Sequence, residues 1–330
     1  MKIIHIEDFE DARVTEFLTA QKFLPIQQTL SWAKFQKSLE VESFRLAVLE
    51  NEKVIAFAQI FVKKLPFGLS KIEIPRGPLL HGTWNMEHRT EILDLLISEI
   101  EKITAEQNSI FVRFEFQENL NFDLPRSKKV DEENFPLATL RIDLQKPLDE
   151  ILAEMKPKGR YNINVAKKHG IQVSIENSAD DFFALLEKTT ARDGFSGHPK
   201  SFYQKMIDEL GGDCVLLVAK KGDQPIAAII VTFGGDTATY YFGASDYEFR
   251  NLMASYLLQF EAIKIAKERG CHFYDFLGVA PKDSSKHHLA GVSDFKKKLG
   301  GEVVEYPRPR IVVFKPIFYW LLRLAKFLRS

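Results

Sequence analysis

The sequence predicts an α/β fold of the α+β kind, with two tandem domains in which a mixed sheet is flanked by helices. Two observations predict it: the order β-β-β-α-β occurs twice along the chain, and the composition supports two hydrophobic cores. The chain has 330 residues, of which 45% are hydrophobic and 12% aromatic. A chain of this length usually forms about two domains, and this composition excludes wholesale disorder.

The first copy of the order begins with a predicted hairpin. Residues 44–65 contain an apolar strand, the charged turn ENEK and a second strand, which is the pattern of a hairpin. The stretch KIEIPRGPLL supplies a third strand. A helix follows, because Ile92, Leu96 and Ile100 recur at helical spacing. The stretch SIFVRFEF, residues 109–116, is the closing strand.

The second copy repeats this order, with Ile55 and Ile226 in equivalent positions 171 residues apart. Residues 213–233 form the hairpin pattern around the turn KKGDQP, and TATYYFGAS follows as the third strand. The helix is predicted in SYLLQFEAIKIAKERG, where Leu258 and Ala262 stand at helical spacing. The stretch CHFYDFLGV is the closing strand. The repeated order therefore predicts two similar units.

The boundary between the units is predicted near RIDLQKP, because a strand ends there and LDEILAEM begins the next helix. The last stretch of the chain is predicted to return to the first domain as a strand and a helix. The predicted domains are 1–145 together with 308–330, and 146–307. No run of 18 apolar residues occurs, so no segment is predicted to span a membrane.

Charge is balanced over the whole chain but not at its C-terminus. The 45 basic and 45 acidic residues cancel, so the net charge predicts no partner. After Glu305, six basic residues follow without an acidic one. In residues 315–330, KPIFYWLLRLAKFLRS, aromatic and leucine side chains fall on one side of a helix and basic ones on another. Such a helix either packs on the first domain or makes peripheral contact with an anionic membrane surface.

The two cysteines, Cys214 and Cys271, each lie next to a predicted strand. A disulfide framework needs more cysteines and a secretory context, so we expect buried thiols in a reducing compartment. The N-terminal stretch is acidic and has no apolar region of the kind found in signal peptides. We therefore expect a cytoplasmic protein, peripheral at the inner face of the membrane if the terminal helix binds lipid.

The second unit has the strand–turn–helix frame of an acyl-CoA site without its glycines. The β-β-β-α-β order matches the N-acetyltransferase-like (GNAT) fold. In that fold a glycine-rich turn would present backbone N–H groups to a pyrophosphate at a helix start. Here no glycine stands between Ala244 and Gly270, and residues 250–253 are Arg, Asn, Leu and Met. The sequence therefore disfavours coenzyme A, and a CoA-dependent N-acyltransferase remains the alternative.

Six stretches together resemble the Fem family (FemABX), the aminoacyltransferases that build peptidoglycan cross-bridges. They occur in the order that the family uses and cover most of the chain: LSWAKFQ, GRYNINVAKKHGI, RDGFSGHPKSFYQKM, YYFGAS, YDFLGV and DFKKKLGG. The resemblance implies two GNAT-like domains, with the acceptor on the side of the first and the donor on the side of the second. It also implies aminoacyl-tRNA as donor and no cofactor.

The same resemblance implies an acceptor, the amino group of a stem-peptide lysine or diamino acid in a peptidoglycan precursor. That precursor is UDP-MurNAc-pentapeptide or lipid II. The amine would attack the aminoacyl ester directly to form an amide bond. A non-catalytic protein that binds tRNA or a cell-wall precursor is a further alternative. In each case we expect a monomer.

Three residues are the candidates for catalysis. In the Fem family the Phe-Lys pair of DFKKKLGG lies at the active site, which implies roles for Phe295 and Lys296. Three consecutive lysines point in different directions, about 100° apart, so one of them can face inward; the other interpretation is a solvated basic turn. Asp275 of YDF ends a predicted buried strand, where sites of α/β proteins usually lie, and is either catalytic or the anchor of a loop.

Candidates for substrate binding begin with SWAKFQ. The resemblance implies that Lys34 contacts the diphosphate of the nucleotide-linked precursor, with Trp32 beside it. The other interpretation places Trp32 in the core and Lys34 in solvent. Arg160 lies in the basic stretch EMKPKGRYNINVAKKHG, which either contacts tRNA or phosphate or forms a solvated helix face. Arg192 and Tyr241 are further candidates for substrate binding.

Four positions depart from the family's pattern. Glu115 stands where the family often has Asp, and His198 stands where members that bind the soluble precursor have Arg. Phe202 and Phe242 stand where Tyr is expected, although Tyr203 is adjacent to the first. These changes remove a fixed charge and two hydroxyls, which leaves the form of the acceptor open. We keep Glu115, His198 and Tyr203 as candidates for substrate binding.

No metal site is predicted. The pair His287–His288, near Asp283, is the one feature that suggests a metal. Adjacent histidines rarely share one ion, so we set that interpretation aside.

Overall fold

Two compact units, each with a mixed sheet, make up the chain in the computed structural model. The structure describes residues 1–81, 86–118, 124, 126–194, 196–281, 287 and 289–328. Unit 1 comprises Met1–Gln21, Gln27–Phe135 and Tyr306–Ser330, and unit 2 comprises Lys22–Ile26 and Pro136–Glu305.

The sheet of unit 1 has strands from both ends of the chain. Its strands are β1 (Lys2–His5), β2 (Ser43–Glu50), β3 (Lys53–Lys64), β4 (Ser70–Pro75), β5 (Leu79–Leu80), β6 (Ser109–Glu115), β7 (Ser127–Lys129) and β15 (Arg310–Val313). Their order is β1-β2-β3-β4-β6-β15-β7, and β5 pairs with β3. The β4–β6 pair is parallel and the other pairs are antiparallel, so the sheet is mixed.

The helices of unit 1 are α1 (Ala12–Thr19), α2 (Leu30–Ser38), α3 (Met86–Glu106) and α10 (Pro316–Phe327). Helix α3 buries Ile92, Leu96 and Ile100 in the core of this unit, as their spacing predicted. Helix α2 begins after Thr29, whose hydroxyl accepts a hydrogen bond of 3.2 Å from the backbone N–H of Trp32. Such a side chain replaces one of the backbone partners that the first helical turn lacks.

The sheet of unit 2 has seven strands in the order β14-β8-β13-β12-β11-β10-β9. They are β8 (Ala138–Asp143), β9 (Gln172–Glu176), β10 (Cys214–Lys221), β11 (Gln224–Gly234), β12 (Thr237–Ser245), β13 (Phe273–Gly278) and β14 (Glu302–Glu305). The β12–β13 pair is parallel, as β4–β6 is in unit 1. A parallel pair needs a crossover, which in both units is a long helix.

The helices of unit 2 are α4 (Leu148–Glu154), α5 (Pro157–Lys168), α6 (Asp180–Asp193), α7 (Lys200–Leu210), α8 (Ala254–Glu268) and α9 (Ala290–Lys296). Helix α8 is the crossover and buries Leu258, Ala262 and Ile263 in the core. The order β-β-β-α-β predicted from the sequence is therefore present in both units, as β10-β11-β12-α8-β13 and, with the two-residue β5 between β4 and α3, as β2-β3-β4-α3-β6.

The division between the units differs from the predicted one. Strand β8 pairs with β13 and β14, so residues 138–143 belong to the second sheet rather than to a domain that ends at residue 145. The residues 22–26 also belong to unit 2, where the backbone N–H of Phe23 donates 2.9 Å to Asp236 Oδ1. An apolar strand pattern does not indicate which strand it pairs with. For this reason the sequence assigned β8 to the first domain, although it pairs in the sheet of the second. Strand β15 pairs with β6 and β7 in unit 1.

The two cysteines are buried free thiols, as predicted. Burial raises the pKa of Cys214 to about 12 and that of Cys271 to about 11, so both remain protonated at neutral pH. Over the described ranges, no helix has both the length and the apolar character that crossing a membrane requires.

Candidate active site

Lys296 is the buried member of the three consecutive lysines. It ends α9 and is 6% exposed, whereas Lys297 and Lys298 are partly exposed. Its Nζ donates a hydrogen bond of 2.7 Å to the carbonyl oxygen of Gly278, the last residue of β13. An ammonium has three N–H donors, and this carbonyl uses one of them. The geometry agrees with the expectation that one lysine faces inward.

The buried environment of Lys296 lowers its pKa. Burial lowers the pKa of Lys296 to about 8, and the negative charge of Asp275 opposes that shift. The ammonium also lies 5.5 Å from the ring centroid of Tyr240, within the range of a cation–π contact. Burial raises the pKa of Tyr240 to about 12, so its phenol stays protonated beside the lysine. Lys296 is therefore mostly charged at neutral pH and can release its proton at modest cost.

Asp275 is 5% exposed, and both of its carboxylate oxygens already accept hydrogen bonds. Oδ2 accepts from Arg141 Nε at 2.9 Å, and Oδ1 accepts from the hydroxyl of Thr139 and from the backbone N–H of Leu277 at 2.6 Å. Leu277 has φ of 58°, and the register of β13 against β8 shifts between Asp275 and Gly278. The contacts of Asp275 are those of an anchor that fixes this irregular turn, which was the second of its two predicted roles.

Phe295 packs edge-on against Tyr256, with ring centroids 4.9 Å apart and an interplanar angle of 74°. It is partly buried against the core of unit 2. Its neighbour Tyr256 lies on the first turn of α8. Phe295 therefore packs α9, the helix that carries Lys296, against α8. Helix α8 follows the turn at which a coenzyme A pyrophosphate would be expected.

That turn is a short 3₁₀ helix, Tyr247–Leu252, followed by Met253 with φ of 57°. Arg250 donates 3.0 Å to the carbonyl of Tyr247, and its guanidinium lies 4.0 Å from the ring centroid of the same residue. Side chains thus occupy the segment in which an acyl-CoA site would present bare backbone N–H groups. This supports the sequence argument against a coenzyme A pyrophosphate at this turn.

An aromatic cluster lies on α7, on the segment just before it and on β12. The rings of His198 and Phe202 stack with centroids 3.9 Å apart, and Phe242 meets Tyr203 edge-on at 5.2 Å. Tyr203 is 1% exposed, and its hydroxyl accepts 3.1 Å from the backbone N–H of His198. In this conformation Tyr203 is a core residue and does not face a substrate. His198 is exposed, and Phe202 and Phe242 are partly exposed.

Tyr241 lies at a bulge in β12. Tyr240 pairs with Val231 and Phe242 pairs with Ile230, so Tyr241 is the extra residue between them. A bulge turns a side chain away from the regular alternation of a strand. The ring of Tyr241 contacts that of Phe242 at 5.1 Å and is partly exposed.

The two predicted arginines have different surroundings. Arg160 Nη1 donates to the carbonyls of Ala153, at 2.9 Å, and of Met155, at the end of α4. It satisfies carbonyls that the end of a helix leaves unpaired, so its contacts are structural and not those of a free phosphate-binding group. Arg192 forms a two-pronged ion pair with Asp193 at the surface, with both N···O distances at 2.6 Å.

In unit 1, the motif SWAKFQ lies in α2. Trp32 is 6% exposed and packs edge-on against Phe35 at 5.1 Å, which agrees with the core interpretation. Lys34 points outward, and its Nζ lies 3.2 Å from Glu10 Oε1. An exposed pair of this kind contributes little to stability, so Lys34 can exchange this partner for a phosphate.

Glu115 ends β6 and is 4% exposed. Its Oε1 accepts 2.6 Å from Arg113 Nε, while Oε2 has no hydrogen-bond partner among the residues that the structure describes. Burial raises the pKa of Glu115, and the charges of Arg113 and Arg76 oppose the shift. A buried carboxyl with a perturbed pKa is a marker of functional sites.

Sequence reasoning missed the charged residues that surround Glu115 and Asp275. Arg113 stands two residues before Glu115, on the same face of a strand, and that spacing could have identified the pair. Arg76 has φ of 53°, and its guanidinium lies 3.6 Å from the ring centroid of Tyr306. The contact joins positions that are far apart in the sequence, so no local pattern indicates it. Arg141, the partner of Asp275, was missed for the same reason.

No metal cluster is found where the structure describes the chain: no group of three or more His, Cys, Asp or Glu residues could hold an ion there. His288 and Asp283, which suggested a metal in the sequence, lie outside the described residues.

Comparison with known proteins identifies relatives over most of the chain. The sequence model of the FemAB family matches residues 9–137, 126–221 and 217–327. The lipid II:glycine glycyltransferase of Staphylococcus epidermidis is 22% identical, over 83% of this chain and 84% of its own. The lipid II:glycine glycyltransferase of Staphylococcus aureus is 24% identical, over the same shares of the two chains.

Solved structures show the same fold. The crystal structure of FemX matches with a TM-score of 0.83 and 19% identity, over 97% of this chain and 99% of that one. A tandem GNAT protein from the clavulanic acid biosynthesis pathway matches with a TM-score of 0.55 and 13% identity, over 94% of this chain and 98% of that one. The prediction of two tandem GNAT-like domains is confirmed.

Proposed function

The chain belongs to the FemAB family, and from that membership we propose that it adds an amino acid to the stem peptide of a peptidoglycan precursor. The six motifs that resemble the Fem family therefore identified it correctly. The chain is an enzyme of the acyltransferase class. Its curated relatives named above act, by their names, on lipid II, which supports a peptidoglycan precursor as the acceptor here.

The proposed donor is an aminoacyl-tRNA. In the reaction the neutral amine of the acceptor attacks the ester carbonyl, the C–N bond forms, and the C–O bond to the tRNA ribose breaks. The attacking amine loses one proton and the departing ribose hydroxyl gains one, so atoms and charge balance. Catalysis needs alignment of the two substrates, stabilisation of the oxyanion and a proton for the leaving group.

One observation carries the proposal: the buried Lys296 of the family's motif is held at 2.7 Å from the carbonyl of Gly278. With a pKa of about 8 the ammonium is mostly protonated at neutral pH, and roughly one molecule in ten is neutral. Its remaining N–H groups can donate to the developing oxyanion or pass a proton to the leaving ribose oxygen. A buried site strengthens both interactions, because little water screens them.

Asp275 and Arg141 contribute to catalysis indirectly, by positioning Lys296 and by helping to keep it protonated. Their ion pair of 2.9 Å fixes the turn after β13 that ends in Gly278. The charge of Asp275 also raises the pKa of Lys296 against the effect of burial and so helps to keep it protonated. We assign Asp275 as a positioning residue, and Phe295 as the residue that fixes α9, and with it Lys296, against α8.

For the acceptor, we propose that Lys34 binds a phosphate of the precursor. Its exposure and its weak pairing with Glu10 support this role. His198 is a second candidate for phosphate contact when protonated, and the free oxygen of Glu115 is a candidate acceptor for the stem-peptide amine. The side chains that fill the 3₁₀ turn before α8 favour an aminoacyl-tRNA over coenzyme A as donor.

The test is a transfer assay read by mass spectrometry. The purified protein is incubated with a pool of aminoacylated tRNAs and either UDP-MurNAc-pentapeptide or lipid II. A gain of one amino acid that depends on tRNA supports the proposal and names the amino acid, and the preferred acceptor tests the role of His198. Modification of the acceptor from an acyl-CoA pool, with none from tRNA, would contradict the proposed donor. Binding of tRNA or precursor without any transfer would instead favour the non-catalytic alternative.

A further inference from the structure

Helix α10 presents a large apolar surface to solvent. None of its residues is buried, and seven of the thirteen large hydrophobic side chains that are exposed in the described part of the chain lie between residues 317 and 328. Ile317 is 74% exposed and Phe327 is 77% exposed. Proteins that remain monomeric in water rarely expose a contiguous apolar patch of this kind, and such patches usually mark interaction surfaces.

Six of these seven side chains form one stripe along the helix. At 100° per residue, their positions fall within an arc of about 120°, and Phe318 lies about 60° outside it. We name this set the apolar stripe: Ile317, Trp320, Leu321, Leu324, Phe327 and Leu328.

The opposite face of α10 holds the helix on unit 1. Tyr319 packs edge-on against Phe111 at 5.5 Å, and Lys128 Nζ lies 4.4 Å from the ring centroid of Tyr319. About two helical turns further on, Lys326 forms an ion pair with Glu132. A surface helix usually turns its apolar side to the core and its polar side to water. In α10 the docked face covers only part of the apolar side chains, and the wider apolar side faces solvent, so the fold does not account for the apolar stripe.

The apolar stripe has a basic flank. No acidic residue follows Glu305, whereas Lys315 precedes α10 and Arg323 lies on it. Lys326 lies on the docked face and is paired with Glu132. Arg323 is exposed on the flank of the helix, between the apolar stripe and the docked face. An apolar face with a basic flank matches the boundary between the headgroups and acyl chains of an anionic bilayer.

Strand β7 adds to the same charge. Lys128 and Lys129 are both exposed and pair with Ile311 and Arg310 of β15, the strand that leads into α10. Two copies of the chain that met through this face would bring their basic groups together, and like charges across an interface oppose association. A membrane surface of negative charge is therefore a better occupant for this face than a second copy.

We propose that α10 binds an anionic phospholipid bilayer, with the apolar stripe inserted at the headgroup boundary and the basic flank on the lipid phosphates. The helix has 12 residues and is about 18 Å long, which suits lying in the interface rather than crossing the bilayer. Trp320 has the amphipathic ring that is enriched at this depth. The inference does not rest on the proposed function, since it holds for either form of the acceptor.

The test is co-sedimentation of the full chain with vesicles of phosphatidylcholine alone and of phosphatidylcholine mixed equally with phosphatidylglycerol. We expect binding to the mixed vesicles and at least about tenfold weaker binding to the neutral ones. Leu321→Glu, which puts a charge in the apolar stripe, should weaken binding to the mixed vesicles about tenfold or more. The matched control is Ile175→Glu, which places the same charge at an exposed apolar position in unit 2 and should bind like the parent.

Trp320 provides a second readout. Its emission should shift to shorter wavelength when mixed vesicles are added, and the shift should disappear in Trp320→Phe. Equal binding to both kinds of vesicle, or to neither, would overturn the proposal. So would a concentration-dependent dimer in solution that Leu321→Glu dissolves, because the occupant would then be a second copy.

Failure of this inference is distinguishable from failure of the proposed function. Leu321→Glu should transfer an amino acid to the soluble UDP-MurNAc-pentapeptide like the parent, if that acceptor is used at all. Vesicle binding requires neither tRNA nor acceptor.

Discussion

The Nζ of Lys296 donates a hydrogen bond of 2.7 Å to the carbonyl oxygen of Gly278. The contact ties the end of α9 to the end of β13, and it depends on glycine at position 278. A Cβ there would lie 2.7 Å from the Cγ of Pro136 and 3.2 Å from a methyl group of Leu289. The close packing that excludes a side chain is what brings the carbonyl within reach of the lysine.

The rate of transfer should follow the protonation of Lys296. Because burial lowers its pKa to about 8, the rate on the soluble acceptor should fall as pH rises through about 8. Lys296→Arg keeps a positive charge at all accessible pH values, so its decline should move to higher pH even if its maximal rate is lower. The measurement is kcat against pH for both proteins, and an unchanged alkaline limb in Lys296→Arg would show that another group controls it.

Stability should depend on the same proton. The pKa of Lys296 is about 8 when folded and near 10.5 when unfolded, so the unfolded chain binds more protons between these values. The free energy of unfolding should therefore rise with pH over that window, by about 3 kcal/mol relative to Lys296→Met. Urea titrations of both proteins at about pH 7.5 and about pH 10.5 measure the difference. A constant difference would mean that the lysine has an ordinary pKa.

Asp275→Asn should separate the positioning role from a purely structural one. Arg141 would lose its buried counter-charge, and the free energy of unfolding should fall by about 3 kcal/mol. Because Asp275 raises the pKa of Lys296, the alkaline decline of kcat should also move to lower pH in the variant. Thr139→Val removes a hydroxyl donor to the same carboxylate without changing charge, and its pH profile should match the parent. If Asp275→Asn lost stability without a shift in the dependence of kcat on pH, Asp275 would be a structural anchor and not a positioning residue for Lys296.

Replacement of Gly159 and of Gly291 by alanine should change the free energy of unfolding in opposite directions. In the first turn of α5, a Cβ on Gly159 would lie 2.1 Å from the backbone oxygen of Lys298, so Gly159→Ala must displace the segment that follows Lys296. We expect a loss of about 2 kcal/mol in the free energy of unfolding, with a fall in kcat. Gly291 in α9 has no atom within 4 Å of its Cβ position, so Gly291→Ala should stabilise by up to about 1 kcal/mol. Thermal unfolding measures both, and stabilisation by Gly159→Ala would contradict the observed contact.

The repeated order of elements could be predicted because it depends on local periodicity. The helical spacing of Ile92, Leu96 and Ile100 requires one buried face, and the structure buries that face. The partner of a strand is not a local property. Strand β8 could therefore be recognised as a strand while its sheet was assigned wrongly, and the insertion of Phe23 into unit 2 left no pattern in the sequence.

The candidate site was predictable to a similar extent. Three consecutive lysines allow one to face inward, and Lys296 does. Its acceptor, the carbonyl of Gly278, lies 18 residues earlier in the sequence and could not be inferred. Arg160 and Tyr203 were predicted to bind substrate, because a motif gives the residue type but not its contacts. In the structure Arg160 caps α4, and Tyr203 is buried beneath His198.

The proposed transfer depends most on the charge of Lys296. It is tested by kcat for Lys296→Met with aminoacyl-tRNA and the preferred acceptor, beside Lys297→Met as a matched control. We expect a loss of about 100-fold or more for Lys296→Met, in line with removal of one donor to an oxyanion, and near-parental activity for Lys297→Met. Parental activity in a folded Lys296→Met protein would show that the transfer does not need this charge.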